Sequence, residues 1–160
     1  EHASLCSPQA IELLRRARVR VVTQPHFVFE RGDVYRAELG AEELDWLYRG
    51  RSLVDAGIRL AAGSDAPYGD ADPWASMAAA VRRRSRSGGV IGAHEALLPA
   101  QAQRLFGGDA LHPGEAVATL APGARADLCV LDRNWHEMSN DFGAVQLRLT
   151  LRQGEPIWAA

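Results

Sequence analysis

The first part of the chain alternates between the apolar spacing of a helix and that of a strand. Ser7, followed by a proline, is typical of a helix start, and apolar side chains three and four residues apart predict a helix that ends near Ala17. The run VRVVT, residues 19–23, predicts a short strand that a Gln-Pro pair stops. A loop is expected from there through Asp33.

A second helix, a second strand and a third helix follow. Residues 41–56 predict a helix in which Gly50 allows a break, and Gly57 is well placed as the left-handed residue that ends it. The apolar run 58–62 predicts a buried strand, and Asp72 before a proline predicts the start of the next helix. Because helices and strands alternate, the sequence predicts an α/β fold with parallel strands and crossover helices.

Beyond a last short helix over residues 99–106, the pattern changes to that of strands. The β-like segments are EAVAT, ADLCVLD, VQLRLTLR and a closing EPIWA, with a loop at NWHEMSND. Apolar and polar residues alternate in VQLRLTLR, which predicts a half-buried strand with Leu149 buried alongside Val130. We therefore predict two parts, residues 1–113 and a β-rich unit of residues 114–160.

Composition excludes several classes of function. The net charge of −2 offers no basic surface for nucleic acid. All 18 basic residues are arginines, so the chain has no lysine to serve as a base, a Schiff base or a carbamylated metal ligand. No apolar run is long enough for a membrane span. Cys6 and Cys129 have no metal-binding or redox spacing, and we expect both to be reduced core residues of a cytoplasmic protein.

Polar side chains stand at the carboxyl ends of both predicted parallel strands. Gln24 and His26 follow the first strand, and Ser64 and Asp65 follow the second. Catalytic residues of α/β barrels gather at this edge of the sheet. The pattern alone also fits an ordinary turn from strand to helix, so it does not by itself establish a site.

Four segments carry a resemblance to a known family. Residues 51–69, RSLVDAGIRLAAGSDAPYG, and residues 122–132, PGARADLCVLD, resemble the amidohydrolase superfamily, and most closely its YtcJ-like, N-substituted formamide deformylase-like branch. The opening EHA is similar to the family's sixth strand and VVTQPHF to its seventh. The resemblance implies the C-terminal part of a TIM-type barrel, strands six to eight, over residues 1–113. Strands of a small β-sandwich are implied over residues 114–160.

The resemblance also implies roles for individual residues. Asp65 matches the strand-eight aspartate, which binds the metal or its water and accepts a proton from that water. His2 matches a barrel histidine that is a metal ligand or orients the water. His26, Tyr68 and Arg82 are candidates for substrate binding. The alternatives are a hydrogen bond within a loop for His26, a packed aromatic ring for Tyr68 and a solvated guanidinium for Arg82.

The implied activity is hydrolysis of a non-peptide C–N bond in an amide, formamide or cyclic amide by metal-activated water, with zinc as the expected divalent metal. The family's first-strand His-x-His pair, its bridging ligand and its fifth-strand histidine have no counterpart here. The chain also opens at Glu1 without a methionine. We therefore expect the C-terminal portion of such an enzyme, which binds no metal alone and pairs with the missing barrel half or with itself. The alternative is a non-catalytic truncated chain that acts by association.

Overall fold

A computed structural model describes residues 1–115 and 119–160 of the chain. It divides into two compact units, Glu1–Val117 and Ala118–Ala160. The described elements of the first unit are α1 (Pro8–Ala17), β1 (Arg20–Thr23), α2 (His26–Glu30), α3 (Gly32–Glu38), α4 (Ala41–Asp45), α5 (Gly50–Asp55), β2 (Arg59–Ala62), α6 (Pro73–Arg82) and α7 (Pro99–Arg104). Those of the second unit are β3 (Leu128–Leu131), α8 (Trp135–Asn140), β4 (Leu147–Arg152) and β5 (Glu155–Ala159).

The helix starts read from the sequence are confirmed. The Ser7 hydroxyl accepts a hydrogen bond from the amide of Ala10 at 3.2 Å, and a proline occupies the first turn of α1. Asp72 caps α6 in the same way, since its carboxylate accepts from the amide of Trp74 at 2.8 Å. Both caps use a side-chain oxygen to satisfy an amide that has no partner within the helix.

The parallel sheet consists of β1 and β2 in the described residues. Val21 pairs with Leu60, and Thr23 pairs with Ala62. Residues 1–7, expected to hold a barrel strand, form no strand, although Leu5 makes a single bridge to Leu47. The observed α/β arrangement therefore has small sheets, and the two strands present carry their polar residues at a common carboxyl edge.

The prediction of a loop between β1 and residue 33 is wrong, because this stretch contains α2 and the start of α3. An isolated helix of five residues is not stable in water, so tertiary packing must stabilise α2. Phe27 and Val28 of α2 are buried in a cluster with Leu47, Tyr48 and Ile91. The helix over 41–56 is interrupted as Gly50 allowed, although the break precedes that glycine.

A buried ionic network ties the segments of the first unit together. The guanidinium of Arg83 donates to the carbonyl oxygens of Leu47 at 2.7 Å, Tyr48 at 2.9 Å and Ile91 at 3.0 Å. Burial lowers the pKa of Arg83 to about 10, so it remains charged at neutral pH. The buried Glu95 lies close enough to act on that charge, which makes the pair electrostatically complementary.

In the second unit β4 pairs antiparallel with both β3 and β5. The segments ADLCVLD and VQLRLTLR are sheet neighbours, as predicted, with Val130 opposite Leu149. Val130 is nevertheless exposed, so the prediction that it is buried is wrong, and Leu149 is half-buried. Cys129 is exposed, in contrast to the core position predicted for it, because neither face of β3 is fully covered: each face has one half-buried and one exposed residue.

The core of the second unit comes from the stretch that was expected to be a loop. NWHEMSND contains α8, which begins at a cap where the side chain of Asn134 accepts from the amide of Glu137. Met138 of α8 and the nearby Phe142 are buried. Their burial explains why a short polar segment becomes helical. Most of the predicted strand EAVAT lies outside the described residues.

Candidate functional site

The segment after β2 is a tight turn that presents Asp65. The amides of Tyr68 and Gly69 both donate to the carbonyl of Asp65, at 2.9 and 3.1 Å. The amide of Ala66 donates to the Ser64 hydroxyl at 3.3 Å. Asp65 has φ of +54°, in the left-handed region that aspartate tolerates better than most residues. The turn therefore holds the carboxylate at the edge of the sheet, partly open to solvent.

His2 reaches the same edge from the start of the chain. Its amide donates to the carbonyl of Val22 in β1 at 2.8 Å, which attaches the first residues to the sheet. Its Nε2 atom lies 4.0 Å from Oδ2 of Asp65, with the side chains 41% and 40% exposed. The neighbouring Glu1 accepts a hydrogen bond from the side chain of Gln24. An imidazole and a carboxylate thus converge on one solvent-accessible point.

His26 lies beneath this turn and is almost completely buried, with 1% of its surface exposed. Neither ring nitrogen makes a hydrogen bond of good geometry within the described residues. Burial lowers the pKa of the imidazole, while the carboxylates of Glu30, Asp70 and Asp65 and a hydrogen bond with the backbone of Ser64 act in the opposite direction. The side chain is covered in this structure, so it has no open path to a small molecule.

Tyr68 and Arg82 lie at different places around α6. The Tyr68 ring is mostly exposed, meets the edge of Phe27 with centroids 5.7 Å apart and lies 4.8 Å from the Arg31 guanidinium carbon. Arg82 is exposed at the last residue of α6, whose first residue is Pro73. A helix rises about 1.5 Å per residue, which separates the two ends by roughly 13 Å. The structure brings Tyr68 close to the Asp65 turn and leaves Arg82 at the far end of the helix.

Three residues at the turn were missed from the sequence: Phe27 and Arg31, which lie beside it, and Gly69, which closes it. Phe27 could have been proposed from the sequence, because it is an aromatic residue next to the candidate His26. Nothing in the sequence separates Arg31 from the other arginines of the chain. Gly69 is the last residue of the quoted segment 51–69, but only the three-dimensional structure shows that it lies against His26.

The donor set near Asp65 is suitable in kind for a divalent metal but too small in number. Imidazole nitrogen and carboxylate oxygen are both common ligands of zinc. Within residues 1–115 and 119–160, however, no group of three or more histidine, cysteine, aspartate or glutamate side chains is arranged to hold a metal ion.

The described helices include none with the length and apolar character needed to cross a membrane.

Comparison with known proteins assigns the chain to a family. The model of the amidohydrolase family matches residues 1–158. The chain is 30% identical over 138 residues to an N-substituted formamide deformylase of Arthrobacter pascens, covering 84% of this chain and 26% of that protein. It is 28% identical over 136 residues to the putative amidohydrolase YtcJ of Bacillus subtilis, covering 81% and 26%. The chain thus spans about a quarter of the length of these curated relatives.

Solved structures agree with this assignment. An uncharacterized metal-dependent hydrolase from Pyrococcus horikoshii is 32% identical, with a TM-score of 0.58, over 66% of this chain and 22% of that one. One from Pyrococcus furiosus is 31% identical, with a TM-score of 0.55, over 66% and 21%. The match to the family model, residues 1–158, includes the strand and turn that carry Asp65, and the chain belongs to the amidohydrolase family.

Proposed function

We propose that residues 1–160 form the C-terminal portion of a metal-dependent hydrolase that cleaves a non-peptide C–N bond in an amide, formamide or cyclic amide. The observation that carries the proposal is the approach of His2 Nε2 to Asp65 Oδ2, 4.0 Å apart at the carboxyl edge of β1 and β2. Under this proposal β1 and β2 are the seventh and eighth strands of a TIM-type barrel. The formamide deformylase among the relatives supports the bond type.

His2 and Asp65 would contribute to a site for one divalent cation, zinc being the expected metal. A catalytic zinc needs about three protein ligands. Since the described residues offer this pair and no larger group, the remaining ligands must come from elsewhere in the complete protein. The bound cation would supply Lewis acidity and lower the pKa of a water molecule toward neutrality.

Asp65 would accept the proton of the attacking water at its carboxylate. Its side chain is 40% exposed, so water reaches it directly. His2 would orient that carboxylate or share the cation, because its Nε2 faces Oδ2. Two amide hydrogen bonds to its backbone carbonyl hold Asp65 in the turn, which fixes the point from which its side chain extends.

The substrate would enter beside Tyr68. This exposed ring follows Asp65 within the same turn, and the Arg31 guanidinium lies over it. A flat aromatic surface beside the reacting carboxylate fits the planar group of an amide. His26 can take part in substrate binding only when the turn that covers it moves. Arg82 lies at the far end of α6, so it can contact only a substrate long enough to reach it.

The test is the variant Asp65→Asn in the full-length protein, with Asp45→Asn as the control for an exposed carboxylate outside the site. The amide keeps the shape of the side chain but is a poor base and a weak ligand. We expect turnover of an N-formyl amine or a related amide to fall about 10²–10⁴-fold, as for general acid–base groups elsewhere. Retention of more than about a tenth of the activity would contradict the assigned role of Asp65.

A second candidate is a non-catalytic chain that acts by association with itself or with the missing barrel half. An open groove of about 670 Å³ beside α1 and β1 favours it, since its lining includes the exposed side chains of Leu5, Leu13 and Val19. Leu13→Glu should then reduce the apparent mass in light scattering, while Leu98→Glu, at an equally exposed leucine elsewhere, should not. Equal masses for all three proteins would exclude association through this groove.

A further inference from the structure

His26 is a histidine that the packing of the first unit does not explain. It is 1% exposed, and neither ring nitrogen makes a hydrogen bond of good geometry within the described residues. Burying polar atoms without partners costs stability, and an apolar side chain of similar size would avoid that cost. The backbone of Ser64 acts on the imidazole as a hydrogen-bonding group, which ties the ring to the turn that carries Asp65.

The ring lies directly against the turn that carries Asp65. A Cβ atom added to Gly69 would overlap the Nε2 of His26 and the carbonyl oxygen of Ser64. The imidazole also packs on Phe27, with ring centroids 4.2 Å apart, and Phe27 meets the ring of Tyr68. His26 and Phe27 of α2 thus support the turn at its last two residues.

This support reaches Asp65 through two hydrogen bonds. The amides of Tyr68 and Gly69 donate to the carbonyl of Asp65, so the place of these two residues fixes the backbone of the aspartate. Asp65 is in a left-handed conformation, which aspartate tolerates but does not prefer, so these two bonds help to keep it there. A change in the spacing between α2 and the turn would therefore displace the carboxylate.

We propose that His26 is a positioning residue, whose imidazole acts as a spacer between α2 and the turn and thereby sets the location of the Asp65 carboxylate. The inference rests on the proposed function for its catalytic consequence. The structural part of the inference, that the ring controls the position of the turn, depends only on the contacts described above. His26 need not touch the substrate in this role.

Two matched variants separate the spacer from a general effect of burial. Glutamine places its side-chain nitrogen about where the Nε2 of histidine lies, whereas asparagine has the same chemistry and is one methylene shorter. Leu53→Ala is the control for destabilisation, since Leu53 is fully buried in α5, outside the turn. All variants are made in the full-length protein that the gene encodes.

The first measurement is hydrogen exchange at the amides of Tyr68 and Gly69. We expect His26→Asn to speed their exchange about tenfold or more relative to the amides of α6, and His26→Gln to change it less than about threefold. Leu53→Ala should speed amide exchange in α6 and in the turn to the same extent. Equal exchange in the asparagine variant and the wild type would overturn the proposal, whatever the protein catalyses.

The second measurement is amide hydrolysis by the same proteins. A displaced Asp65 should lower kcat about 10-fold or more in His26→Asn, with KM changed less than about threefold and most of kcat restored in His26→Gln. A wild-type kcat in the asparagine variant would overturn the positioning role and leave the proposed hydrolase intact. An inactive wild-type protein would overturn the proposed function, and hydrogen exchange would then decide the spacer by itself.

Discussion

The Nε2 atom of His2 lies 4.0 Å from Oδ2 of Asp65, although the two residues are far apart in the sequence. Two separate features produce this approach. The amide of His2 is attached to Val22 of β1, and Asp65 follows the adjacent parallel strand β2. Because parallel strands end at the same edge of a sheet, residues just beyond them meet there.

The first prediction concerns metal binding by the 160-residue chain alone. His2 and Asp65 are two ligands, and His2 is next to the first residue, so we expect less than about a tenth of a zinc ion per chain after dialysis. Elemental analysis with a parallel mass measurement tests this. One tightly held zinc per chain, together with turnover of an N-formyl amine, would show that these residues suffice as an enzyme.

The second prediction concerns the buried Glu95. Its carboxylate accepts from Arg49 Nε and from the amide of Ser52, each at 2.8 Å. Glu95→Gln leaves the guanidinium groups of Arg49 and Arg83 without their buried counter-charge. We expect a loss of about 3–5 kcal/mol in the free energy of unfolding at pH 7, measured with urea. Glu38→Gln, at an exposed glutamate of α3, should lie within about 0.5 kcal/mol of the wild type.

The same residue predicts a dependence of stability on pH. Burial acts to raise the pKa of Glu95, but hydrogen bonds from Ser52 and Arg49 outweigh it and leave the pKa below the ordinary 4.5. A carboxyl with a lowered pKa stabilises the folded state above pH 4.5 and loses that contribution as the pH falls through its folded pKa. Urea unfolding below pH 4.5 should show a smaller loss of stability in Glu95→Gln than in the wild type. Parallel losses would contradict this.

The third prediction concerns the core of the second unit. Met138 is 2% exposed, and replacement by alanine should cost about 2–5 kcal/mol, the usual range for a buried methionine. Leu149→Ala should cost less, because Leu149 is only half-buried in β4. Amide exchange in residues 119–160 measures both effects. Leu120→Ala, at an exposed leucine, is the control, and a larger loss in Leu149→Ala than in Met138→Ala would contradict the observed packing.

The fourth prediction tests the start of α1. Ser7→Ala removes the hydrogen bond to the amide of Ala10 and should lower the free energy of unfolding by about 1 kcal/mol. Ser7→Asp should retain the stability of the wild type, since its carboxylate can accept the same bond. Urea denaturation of the three proteins side by side distinguishes loss of the cap from loss of any other contact of Ser7.

Several elements of the fold could be predicted from the sequence because they depend on local interactions. The caps at Ser7 and Asp72 bond to amides two or three residues away, so the starts of α1 and α6 are visible in the chain itself. The apolar runs that became β1 and β2 are short and bounded by turn residues. The helices α2 and α8 were missed, since each depends on burial of residues such as Phe27 and Met138 against distant parts of its unit.

The sequence by itself determined the family, the location of Asp65 directly after a strand, and the pairing of β3 with β4. Only the tertiary structure decided that His2 reaches Asp65, that Phe27 meets the ring of Tyr68, and that His26 is covered by the turn at Gly69. The physical reason is the range of the interactions. Caps, turns and strand periodicity act over a few residues, whereas the burial and contacts of a side chain depend on atoms that the chain brings together from far apart.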